Sequence, residues 1–436
     1  MYMEELECME AGPLRELQLE RLRRLVDYVL ERSSFYSGLL REAGIVSGGD
    51  IRELADISRL PFTRKNDLRD HYPFGMFCVP LESVAEIHAS SGTTGNPTVV
   101  GYTAGDISLW RRVMARSLAI AGAVPADIVQ NAYGYGLFTG GLGVHYGALE
   151  LGAAVIPISS GGTKKQIKIM HDFGSTILTC TPSYSLFMAE EAAAMGYDPR
   201  RSPVRIGILG AEPWSENLRQ AVEEAWDMIA LDIYGLSEII GPGVAQECPA
   251  KAGLHVYSDV FFPEVIDPET GDPQPEGRPG ELVFTTLTKE ALPLIRYRTG
   301  DIVTLTWRPC SCGRTQPRIS RILGRTDDML IIRGINVFPS QIEDVLLGIE
   351  EAEPHYQLVV DRDRGLDTLE IQVEISGEFF SDEIKQLQEL RNKIKREIES
   401  VLNLVVEVKL VEPKTIERSQ GKAKRVIDLR REKDQL

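Results

Sequence analysis

The sequence lacks the features that would assign it to a membrane or to an oxidising compartment. No stretch approaches the roughly 20 consecutive apolar residues of a membrane-spanning helix. The N-terminal stretch MYMEELECMEAG has neither the basic flank nor the apolar core of a signal peptide. Six cysteines in 436 residues are too few for a disulfide framework. We therefore expect a cytoplasmic protein that does not enter a membrane.

An excess of positive charge is also missing. The sequence has 48 lysines and arginines against 64 aspartates and glutamates, which gives a net charge of −16. Because nucleic-acid backbones and anionic membrane surfaces repel a net anion, neither is expected as the main partner. The composition is otherwise that of a globular protein, with 43% hydrophobic and 26% charged residues. A length of 436 residues predicts two or three domains.

Short apolar strands alternate with helical segments from about residue 86 to residue 330. Segments such as STILTCTPS, RIGILGAEP and DMIALDIYG are predicted strands that end in small or polar residues. This alternation predicts an α/β domain with buried strands, in which functional sites gather at the carboxyl ends of the strands. The turn-rich segment DPETGDPQPEGRPG, residues 267–280, is expected to tip a hairpin in a β-rich subdomain.

The pattern restarts after about residue 326. PSQIEDVLLGI is a predicted short helix, YQLVVDR, TLEIQVEI and VVEVKLV are predicted strands, and residues 381–402 form a predicted amphipathic helix. These elements make a self-contained α+β domain. We therefore expect a large N-terminal domain, residues 1–326, and a small C-terminal domain, residues 327–436.

A segment rich in glycine, serine and threonine, SSGTTGNPT, has the composition of a phosphate-binding loop. Its backbone N–H groups and hydroxyls can approach anionic oxygens with little steric hindrance. It contains no lysine or arginine and lacks the Gly-Lys-Ser/Thr ending of a Walker A loop. Taken alone, such a segment is more often a surface turn. The residues concerned are Ser90, Ser91, Gly92, Thr93, Thr94 and Gly95.

Four further segments carry chemistry of modest specificity. In LDIYGLSEIIGPG, Tyr234 can stack on a flat ring and Glu238 can hold Mg²⁺ through one carboxylate. In RYRTGDIV, the carboxylate of Asp301 can accept hydrogen bonds from two ribose hydroxyls. LGRTDDMLIIRGINVFPSQIE and the basic turn SQGKAKRV complete the series. Each has an alternative interpretation: a strand end with a solvated acid, or a solvated basic tail.

The five motifs, in this order between residues 90 and 426, resemble the acyl-adenylate-forming superfamily, which includes acyl-CoA synthetases, luciferases and the adenylation domains of peptide synthetases. SSGTTGNPTVVGYT, YGLSE, EALPLIRYRTGD and GRTDDMLIIRGINVFPSQIE most resemble the phenylacetate–CoA ligase branch. The resemblance implies a large adenylate-forming domain of α/β sheets with a β-rich subdomain, followed by a small mobile α+β domain.

The resemblance also implies a nucleotide site. The loop at residues 90–98 is expected to wrap the β- and γ-phosphates of ATP, Tyr234 to stack on adenine and Glu238 to bind Mg²⁺. Asp301 and Arg325 are expected to hold the ribose. The remaining residues implied in the nucleotide slot are Ala211, Glu212, Pro213, Asp232, Ile233, Gly235 and Ser237.

Catalysis is implied to depend on the C-terminal domain. Lys422 matches the catalytic lysine of the superfamily, with Lys424 as the alternative, and Asp327 matches the hinge between the domains. In the family's reaction a carboxylate attacks the α-phosphorus of ATP and pyrophosphate leaves. The domain then rotates, a tunnel for coenzyme A forms near Gly334, and the thiol displaces AMP.

The acid pocket is expected between NAYGYGLFTGG and the predicted strand that carries Tyr234, where small and aromatic residues suit a flat aryl acid. The sequence leaves open phenylacetate, indoleacetate, hydroxyphenylacetate and benzoate, because one methylene in such a pocket is worth only about 1–3 kcal/mol. The candidate pocket residues are Tyr135, Gly136, Phe138, Thr139, Ile240 and Pro242.

Two pairs of metal-ligand residues stand apart from these motifs: Cys248 with His255, and Cys310 with Cys312. Three thiolates and one imidazole suit a tetrahedral structural Zn²⁺ site. All four residues are expected in polar, turn-rich segments, where buried structural cysteine is less common. The alternative is a set of buried cysteines with a surface histidine.

Three functions remain open on this evidence. The first is an AMP-forming aryl-acid CoA ligase that uses ATP, Mg²⁺ and coenzyme A. The second is an adenylyltransferase of the coenzyme F390 synthetase type. The third is an ATP-binding regulator without turnover. The amphipathic segment at residues 14–31 and the family resemblance also suggest a homodimer.

Overall fold

The computed structural model describes residues 1–90, 96–326, 329–333, 335–363, 366–375, 384–402, 404–419 and 423–430. The chain divides into two compact units, each built from separate segments. Unit 1 comprises Met1–Cys180, Ser202–Ala211 and Ile229–Arg321, and unit 2 comprises Thr181–Arg201, Glu212–Met228 and Ile322–Leu436. A domain boundary between residues 326 and 327 stays a prediction. In the described residues, no helix is long and apolar enough to cross a membrane.

Unit 1 contains the N-terminal helices and most of the strands. Its helices are α1 (Glu4–Glu7), α2 (Ala11–Arg32), α3 (Ser34–Glu42), α4 (Lys65–Asp70), α5 (Ala104–Ile120), α6 (Thr139–Leu151) and α7 (Thr163–Phe173). Its strands are β1 (Glu86–Ala89), β2 (Val99–Tyr102), β3 (Ile128–Asn131), β4 (Ala154–Ile156), β5 (Ile177–Cys180), β6 (Ile206–Gly210), β7 (Ile229–Leu236), β8 (Gly241–Glu247), β9 (Leu254–Val256), β10 (Phe261–Ile266), β11 (Gly280–Thr286), β12 (Tyr297–Val303), β13 (Leu305–Thr306) and β14 (Arg318–Ile319).

The main sheet of unit 1 has the strand order β13-β14-β9-β8-β7-β6-β5-β3-β4. From β4 to β7 the neighbouring strands run parallel, and from β7 to β13 they run antiparallel. Strands β5 and β6 are buried along their whole length, which explains their uninterrupted apolar runs ILTC and IGILG. The strands predicted in this region are confirmed, and β7 lies where the parallel part of the sheet meets the antiparallel part.

Two glycines allow the backbone to pack closely at this junction. A Cβ on Gly235 would lie 2.0 Å from the carbonyl oxygen of Gly241, and a Cβ on Gly210 would lie 2.3 Å from that of Ile233. Neither position can hold a larger side chain without a shift of backbone. Glycine is therefore required at these two positions because neighbouring backbone approaches so closely.

A second sheet of unit 1 contains β10, β11 and β12, paired antiparallel in that order. The turn-rich segment 267–280 connects β10 to β11, as predicted. Before this sheet, helix α2 contributes a continuous apolar face to the interior. The buried apolar residues of that face are Leu14, Leu22, Leu25, Val26 and Val29.

Unit 2 combines two helices that follow β5 and β6 in the chain with the C-terminal α+β part. Its helices are α8 (Pro182–Ala194), α9 (Glu216–Trp226), α10 (Pro339–Leu347) and α11 (Ile384–Leu402). Its strands are β15 (Gly324–Arg325), β16 (Leu330–Ile332), β17 (Ile335–Val337), β18 (Ala352–Asp363), β19 (Leu366–Ile375), β20 (Glu407–Val411) and β21 (Val426–Asp428). Strands β16 and β17 form a hairpin, and a sheet has the order β20-β19-β18-β21. Leu390, Ile394 and Ile398 of α11 pack against this sheet, which confirms the predicted amphipathic helix.

Candidate functional site

The first and last residues of the predicted phosphate loop, Ser90 and Thr98, are hydrogen-bonded to each other. The main-chain N–H of Ser90 donates to the carbonyl of Thr98 at 3.0 Å, and the two side-chain hydroxyls are also hydrogen-bonded. The five residues from Ser91 to Gly95 lie outside the described residues. Tyr102 of β2, the strand after the loop, donates its hydroxyl to the carbonyl of Ser237 at 3.3 Å. The base of the loop is thus tied to the segment that follows β7.

Two residues predicted to bind the nucleotide meet at β7 and β12. The hydroxyl of Tyr234 donates to Oδ2 of Asp301 at 2.5 Å. Asp301 is buried, with 3% of its surface exposed, so its charge depends on such donors. The ring of Tyr234 lies 6.2 Å from that of Phe284, with an interplanar angle of 31°. The sequence placed these residues in separate motifs, and the structure brings them into direct contact.

Glu238, the predicted Mg²⁺ ligand, is flanked by two lysines. Lys65 Nζ lies 3.8 Å from Glu238 Oε1, and Lys289 Nζ donates to the main-chain carbonyl of Glu238 at 3.1 Å. Lys289 is buried and lies over the ring of Tyr102, with its Nζ 4.9 Å from the centroid. Burial lowers the pKa of Lys289 to about 8, against the opposing effect of Asp106 and Glu238.

Sequence reasoning missed both lysines. Lys289 stands between the apolar runs of LVFTTLTKEALPLI, where a lysine needs a specific partner to be buried. The position of Lys289 in the sequence could therefore have marked it as a buried lysine with a specific partner. Lys65, in PFTRKND, follows an arginine in an ordinary turn-like segment, and nothing in its sequence neighbourhood distinguishes it.

The main chain of β7 is held by side chains of β8. Glu247 Oε2 accepts the N–H of Asp232 at 3.1 Å, and Gln246 Nε2 donates to the carbonyl of Asp232 at 3.0 Å. All three residues are buried. Ile233 and Gly235 pair with β8 beside them. The end of β7 is therefore fixed by hydrogen bonds that are independent of any ligand.

Three predicted nucleotide residues are distributed differently. Ala211, at the end of β6, has a left-handed backbone with φ of 71°. Glu212 and Pro213 belong to unit 2, where the carboxylate of Glu212 accepts the N–H groups of Ser183 at 2.8 Å and Ala423 at 2.9 Å. A role for Glu212 in the adenine slot stays a prediction.

Of the two residues predicted to hold the ribose, Asp301 belongs to unit 1 and Arg325 to unit 2. Arg325 lies half-buried in β15. Asp327, Gly334 and Lys422 fall outside the described residues. Lys424 is exposed, and its carbonyl accepts from Gln357 Nε2 at 3.3 Å. The roles given to these residues stay predictions.

The candidate acid-pocket residues fall into an inner and an outer group. Thr139 Oγ1 lies 3.1 Å from Ser237 Oγ. Pro242 packs closely against Gly143 of α6, since a Cβ on Gly143 would lie only 2.6 Å from Pro242 Cγ. Tyr135 accepts a hydrogen bond from Asn131 at 2.8 Å, and burial raises the pKa of Tyr135 to about 12. Ile240 is fully buried, whereas Gly136 and Phe138 are exposed.

The four predicted metal ligands form one cluster in unit 1, which we call the Cys/His cluster: Cys248, His255, Cys310 and Cys312. Their ligand atoms all lie within 4.8 Å of one another. Cys248 Sγ is 3.9 Å from Cys310 Sγ, and Cys312 Sγ is 3.5 Å from His255 Nε2. Cys248 follows β8 directly and begins a turn, in which its carbonyl accepts the N–H of Lys251 at 2.9 Å, as expected. His255 lies inside β9 rather than in a turn, which corrects the expectation for this residue.

Burial governs the charges of this cluster. It lowers the pKa of His255 to about 3 and raises the pKa of Cys248 to about 12, so both groups are neutral in isolation. At Cys310 burial acts in the same direction, but hydrogen bonds with Cys312 and Cys248 outweigh it and the pKa is lowered. The neutral imidazole of His255 and the lowered pKa of the Cys310 thiol suit binding of a soft metal ion, whereas Cys248 would have to lose its proton when the ion binds.

The loop carrying two of the thiols also holds the N-terminal segment. Arg314 Nε donates to Glu7 Oε2 at 2.8 Å, and the N–H of Thr315 donates to the carbonyl of Glu7 at 3.1 Å. Gln316 Nε2 donates to the carbonyl of Leu6 at 2.5 Å. No local sequence pattern indicates this attachment, because more than 300 residues separate the partners.

Comparison with known proteins agrees with the motif order. Residues 55–287 match the family model described as AMP-binding enzyme, and residues 334–430 match the AMP-binding enzyme C-terminal domain. The phenylacetate-coenzyme A ligase of Thermus thermophilus is 53% identical over 99% of this chain and 100% of its own. That of Escherichia coli strain K12 is 47% identical over 98% of each chain. A crystal structure of 2-hydroxyisobutyryl-CoA ligase in the postadenylation state, in complex with R3-HIB-AMP, superposes with a TM-score of 0.92 at 29% identity, covering 99% of this chain and 93% of that chain.

The two matched domains and the structural similarity define an adenylate-forming, AMP-binding enzyme with a large N-terminal and a small C-terminal domain. Enzymes of this class that act as CoA ligases use a carboxylic acid, ATP and coenzyme A. Within the class, the chain belongs to the phenylacetate-coenzyme A ligase family. The expected fold and the expected enzyme class are confirmed.

Proposed function

We propose that this ligase joins an arylacetate of the phenylacetate type to coenzyme A in two steps, with ATP converted to AMP and pyrophosphate. The acid carboxylate attacks the α-phosphorus and pyrophosphate leaves, and the thiol sulfur then attacks the acyl carbon and AMP leaves with the bonding electrons. The observation that carries the proposal is the meeting of Tyr234, Asp301 and Glu238 around the end of β7, in a chain of this family.

The geometry supports a division of work among these residues. Tyr234 and Asp301 are joined by a hydrogen bond, so the ring next to adenine and the carboxylate next to ribose would be positioned together. Ser237 is the residue before Glu238, and its hydroxyl lies 3.1 Å from that of Thr139. These two hydroxyls can orient the acid. Lys422 is proposed as the cation that bridges the acid and the α-phosphate.

Glu238 fits a single-carboxylate Mg²⁺ site. Its side chain is 7% exposed and is already paired with a cation, the Lys65 ammonium, which shows that positive charge is accommodated next to it. Mg²⁺ bound to phosphates usually needs only one or two protein carboxylates. When bound, a Mg²⁺ ion would neutralise negative charge on the phosphates.

Release of pyrophosphate tests the function. Purified enzyme with ATP and Mg²⁺ is given a panel of arylacetates and benzoates, with and without coenzyme A, and pyrophosphate, AMP and thioester are quantified. We expect acid-dependent pyrophosphate exchange without coenzyme A, and thioester only with it. Transfer of AMP to a deazaflavin without coenzyme A would instead support the adenylyltransferase, and absence of acid-dependent exchange would support the regulator.

The Cys/His cluster is proposed to hold structural Zn²⁺. With Zn–S bonds of about 2.3 Å and Zn–N bonds of about 2.0–2.1 Å, a tetrahedral site separates two sulfurs by about 3.8 Å and a sulfur from a nitrogen by about 3.5 Å. Two of the separations in the cluster are 3.9 Å and 3.5 Å, and all of them are within 4.8 Å. A disulfide would need sulfurs about 2.05 Å apart. The spacing therefore favours a shared ion over a covalent bond.

Metal analysis tests this assignment independently of activity. Enzyme washed with a weak chelator is expected to retain about one equivalent of zinc per chain. A content below half an equivalent would contradict the proposal. A cytoplasmic location and a homodimer remain further proposals, the second to be tested by light scattering of the full chain.

A further inference from the structure

The predicted phosphate loop carries no positive side chain, although it is expected to hold the two most highly charged phosphates of ATP. SSGTTGNPT offers only backbone N–H groups, hydroxyls and one amide. The positive charge must therefore come from elsewhere. Within unit 1, Lys65 and Lys289 contact Glu238, the residue proposed to bind the phosphate-linked Mg²⁺.

The two lysines differ in what they can do. Lys289 is 2% exposed, and its ammonium is engaged with the main-chain carbonyl of Glu238 and the ring of Tyr102. It holds the backbone of Glu238 in place. Lys65 has a side chain that is 41% exposed, and its ammonium reaches the Glu238 carboxylate from the solvent side at 3.8 Å. A separation of this length, at an exposed group, is a weak ion pair that a ligand can displace.

The backbone that precedes Lys65 is hydrogen-bonded to β12, the strand that carries Asp301, and to the residue before it. Thr63 is fully buried, and its main-chain N–H and carbonyl form hydrogen bonds of 3.1 Å and 2.9 Å with Arg296 and Arg298. Its hydroxyl donates to the carbonyl of Ile295 at 2.6 Å. Lys65, the first residue of α4, therefore starts from a fixed point beside β12, and its flexible stem can redirect the ammonium without a shift of the main chain.

The phosphate loop is connected to the same place. Tyr102, on the strand that follows the loop, donates to the carbonyl of Ser237, the residue before Glu238. Tyr102 and Lys65 therefore contact adjacent residues, Ser237 and Glu238. Phosphates that share a metal ion with Glu238 would come within reach of the Lys65 ammonium.

We propose that Lys65 is a nucleotide-binding residue that supplies the cation missing from the phosphate loop. Without nucleotide it neutralises the Glu238 carboxylate. When ATP binds, Lys65 gives up that carboxylate to Mg²⁺ and its ammonium binds oxygens of the β- and γ-phosphates. The inference rests on the proposed function, because it requires ATP at the end of β7. Charge stays balanced throughout, since the carboxylate and the phosphates each gain a cation as the ammonium moves.

Binding of two nucleotides separates this role from a structural one. The affinity of the full-length chain for a non-hydrolysable ATP analogue and for AMP is measured by calorimetry with Mg²⁺. Lys65→Ala should weaken the ATP analogue about 10-fold or more, the usual effect of a lost charge-assisted hydrogen bond. AMP lacks the β- and γ-phosphates, so its affinity should change less than about twofold. Lys65→Arg, which keeps the charge, should retain most of the affinity for the analogue.

A matched control and a second readout complete the experiment. Lys168→Ala removes an exposed lysine on α7 whose ammonium is paired with Asp172, and it should leave both affinities unchanged. Lys65→Ala should also slow acid-dependent pyrophosphate exchange, but it should leave thioester formation from supplied acyl-adenylate within about twofold of the wild-type rate. A melting temperature close to that of the wild type would confirm that the variant is folded.

Each other outcome overturns a defined statement. If Lys65→Ala weakens AMP as much as the ATP analogue, or slows both half-reactions equally, the lysine has a structural role and the inference is wrong. If the variant binds the analogue as tightly as the wild type does, the inference is also wrong, while the proposed function stands. If the wild-type chain neither binds ATP nor exchanges pyrophosphate, the proposed function fails first and the role of Lys65 falls with it.

Discussion

The two polar clusters of unit 1 depend on the same pair of strands but satisfy their polar groups in different ways. At the end of β7, Asp301 accepts the hydroxyl of Tyr234 and Glu238 faces Lys65, so each carboxylate has a partner supplied by the protein. In the Cys/His cluster, beyond the end of β8, the four ligand atoms face one another. The first arrangement suits a ligand that enters and leaves, because partners can be exchanged. The second suits an ion that stays.

The strands β7 and β8 also connect the two clusters. Glu247 accepts the N–H of Asp232 on β7, and the next residue is the metal-ligand candidate Cys248. An ion at the Cys/His cluster would therefore stabilise β7, which carries residues proposed to bind the nucleotide, without contacting the nucleotide itself. Variants of each cluster should separate chemistry from stability.

The largest effect is expected from Glu238→Gln, which removes the charge of the proposed Mg²⁺ ligand. Loss of metal-assisted charge stabilisation is worth several kcal/mol, so the rate of acyl-adenylate formation should fall by roughly 100-fold or more. Zinc content and melting temperature should remain close to the wild type. Pyrophosphate exchange measures the rate, with Glu276→Gln, an exposed carboxylate in the turn before β11, as the control. A variant with normal exchange would remove Glu238 from the proposed site.

Cys310→Ser in the Cys/His cluster is expected to lower zinc content and stability, with a much smaller effect on the reaction rate. Zinc should be lost, and the melting temperature should fall by on the order of 5–10 °C, as for a loss of about 3 kcal/mol in a unit of this size. Activity per folded molecule should change far less than in Glu238→Gln. Elemental analysis and thermal unfolding measure the two effects, and Cys78→Ser, at another buried cysteine, is the control. Full zinc retention would show that Cys310 is not a ligand.

A smaller effect is expected from Tyr234→Phe, which keeps the ring and removes the hydrogen bond to Asp301. Hydrogen bonds to charged groups contribute about 1.5–3 kcal/mol, so the KM for ATP should rise roughly 10-fold, while the ring can still stack on the base. Steady-state kinetics at saturating acid and coenzyme A measure the change. Tyr72→Phe, at an exposed position, is the control. An unchanged KM would mean that the Tyr234–Asp301 contact is not used in nucleotide binding.

The smallest effect is expected from Cys8→Ser, which tests whether Cys8 belongs to the Cys/His cluster as a further ligand. The Cys8 thiol lies next to the loop and donates to the carbonyl of Gly313 at 3.3 Å, but it is not among the four converging residues. Serine can make the same hydrogen bond, so stability should change by less than about 1 kcal/mol and zinc content should not change. Loss of zinc in this variant would extend the cluster to a fifth residue.

Much of the fold and of the candidate site was predictable because it depends on local pattern. Apolar alternation located β3 to β7 and α11, and the turn chemistry of residues 267–280 located the β10–β11 hairpin. Motif order indicated the enzyme class, and residue type alone indicated the four metal-ligand candidates. The position of Lys289 between apolar runs indicated that it needs a partner, but neither its contact with the main-chain carbonyl of Glu238 nor that of Lys65 with the Glu238 carboxylate was predictable, because the partners are far apart in sequence.

The sequence by itself determined which chemical groups are available and in which order they occur: a hydroxyl-rich loop without a cation, a carboxylate after β7, a carboxylate in β12, and three thiols with one imidazole. Those properties follow from residue identity and local pattern. Only the tertiary structure decided which groups meet. It placed Tyr234 against Asp301 and Lys65 against Glu238, and it brought the four metal-ligand atoms to within 4.8 Å of one another. The physical reason is that electrostatic and coordinate interactions depend on distances of a few ångströms, which are set by strand pairing and burial across the whole unit.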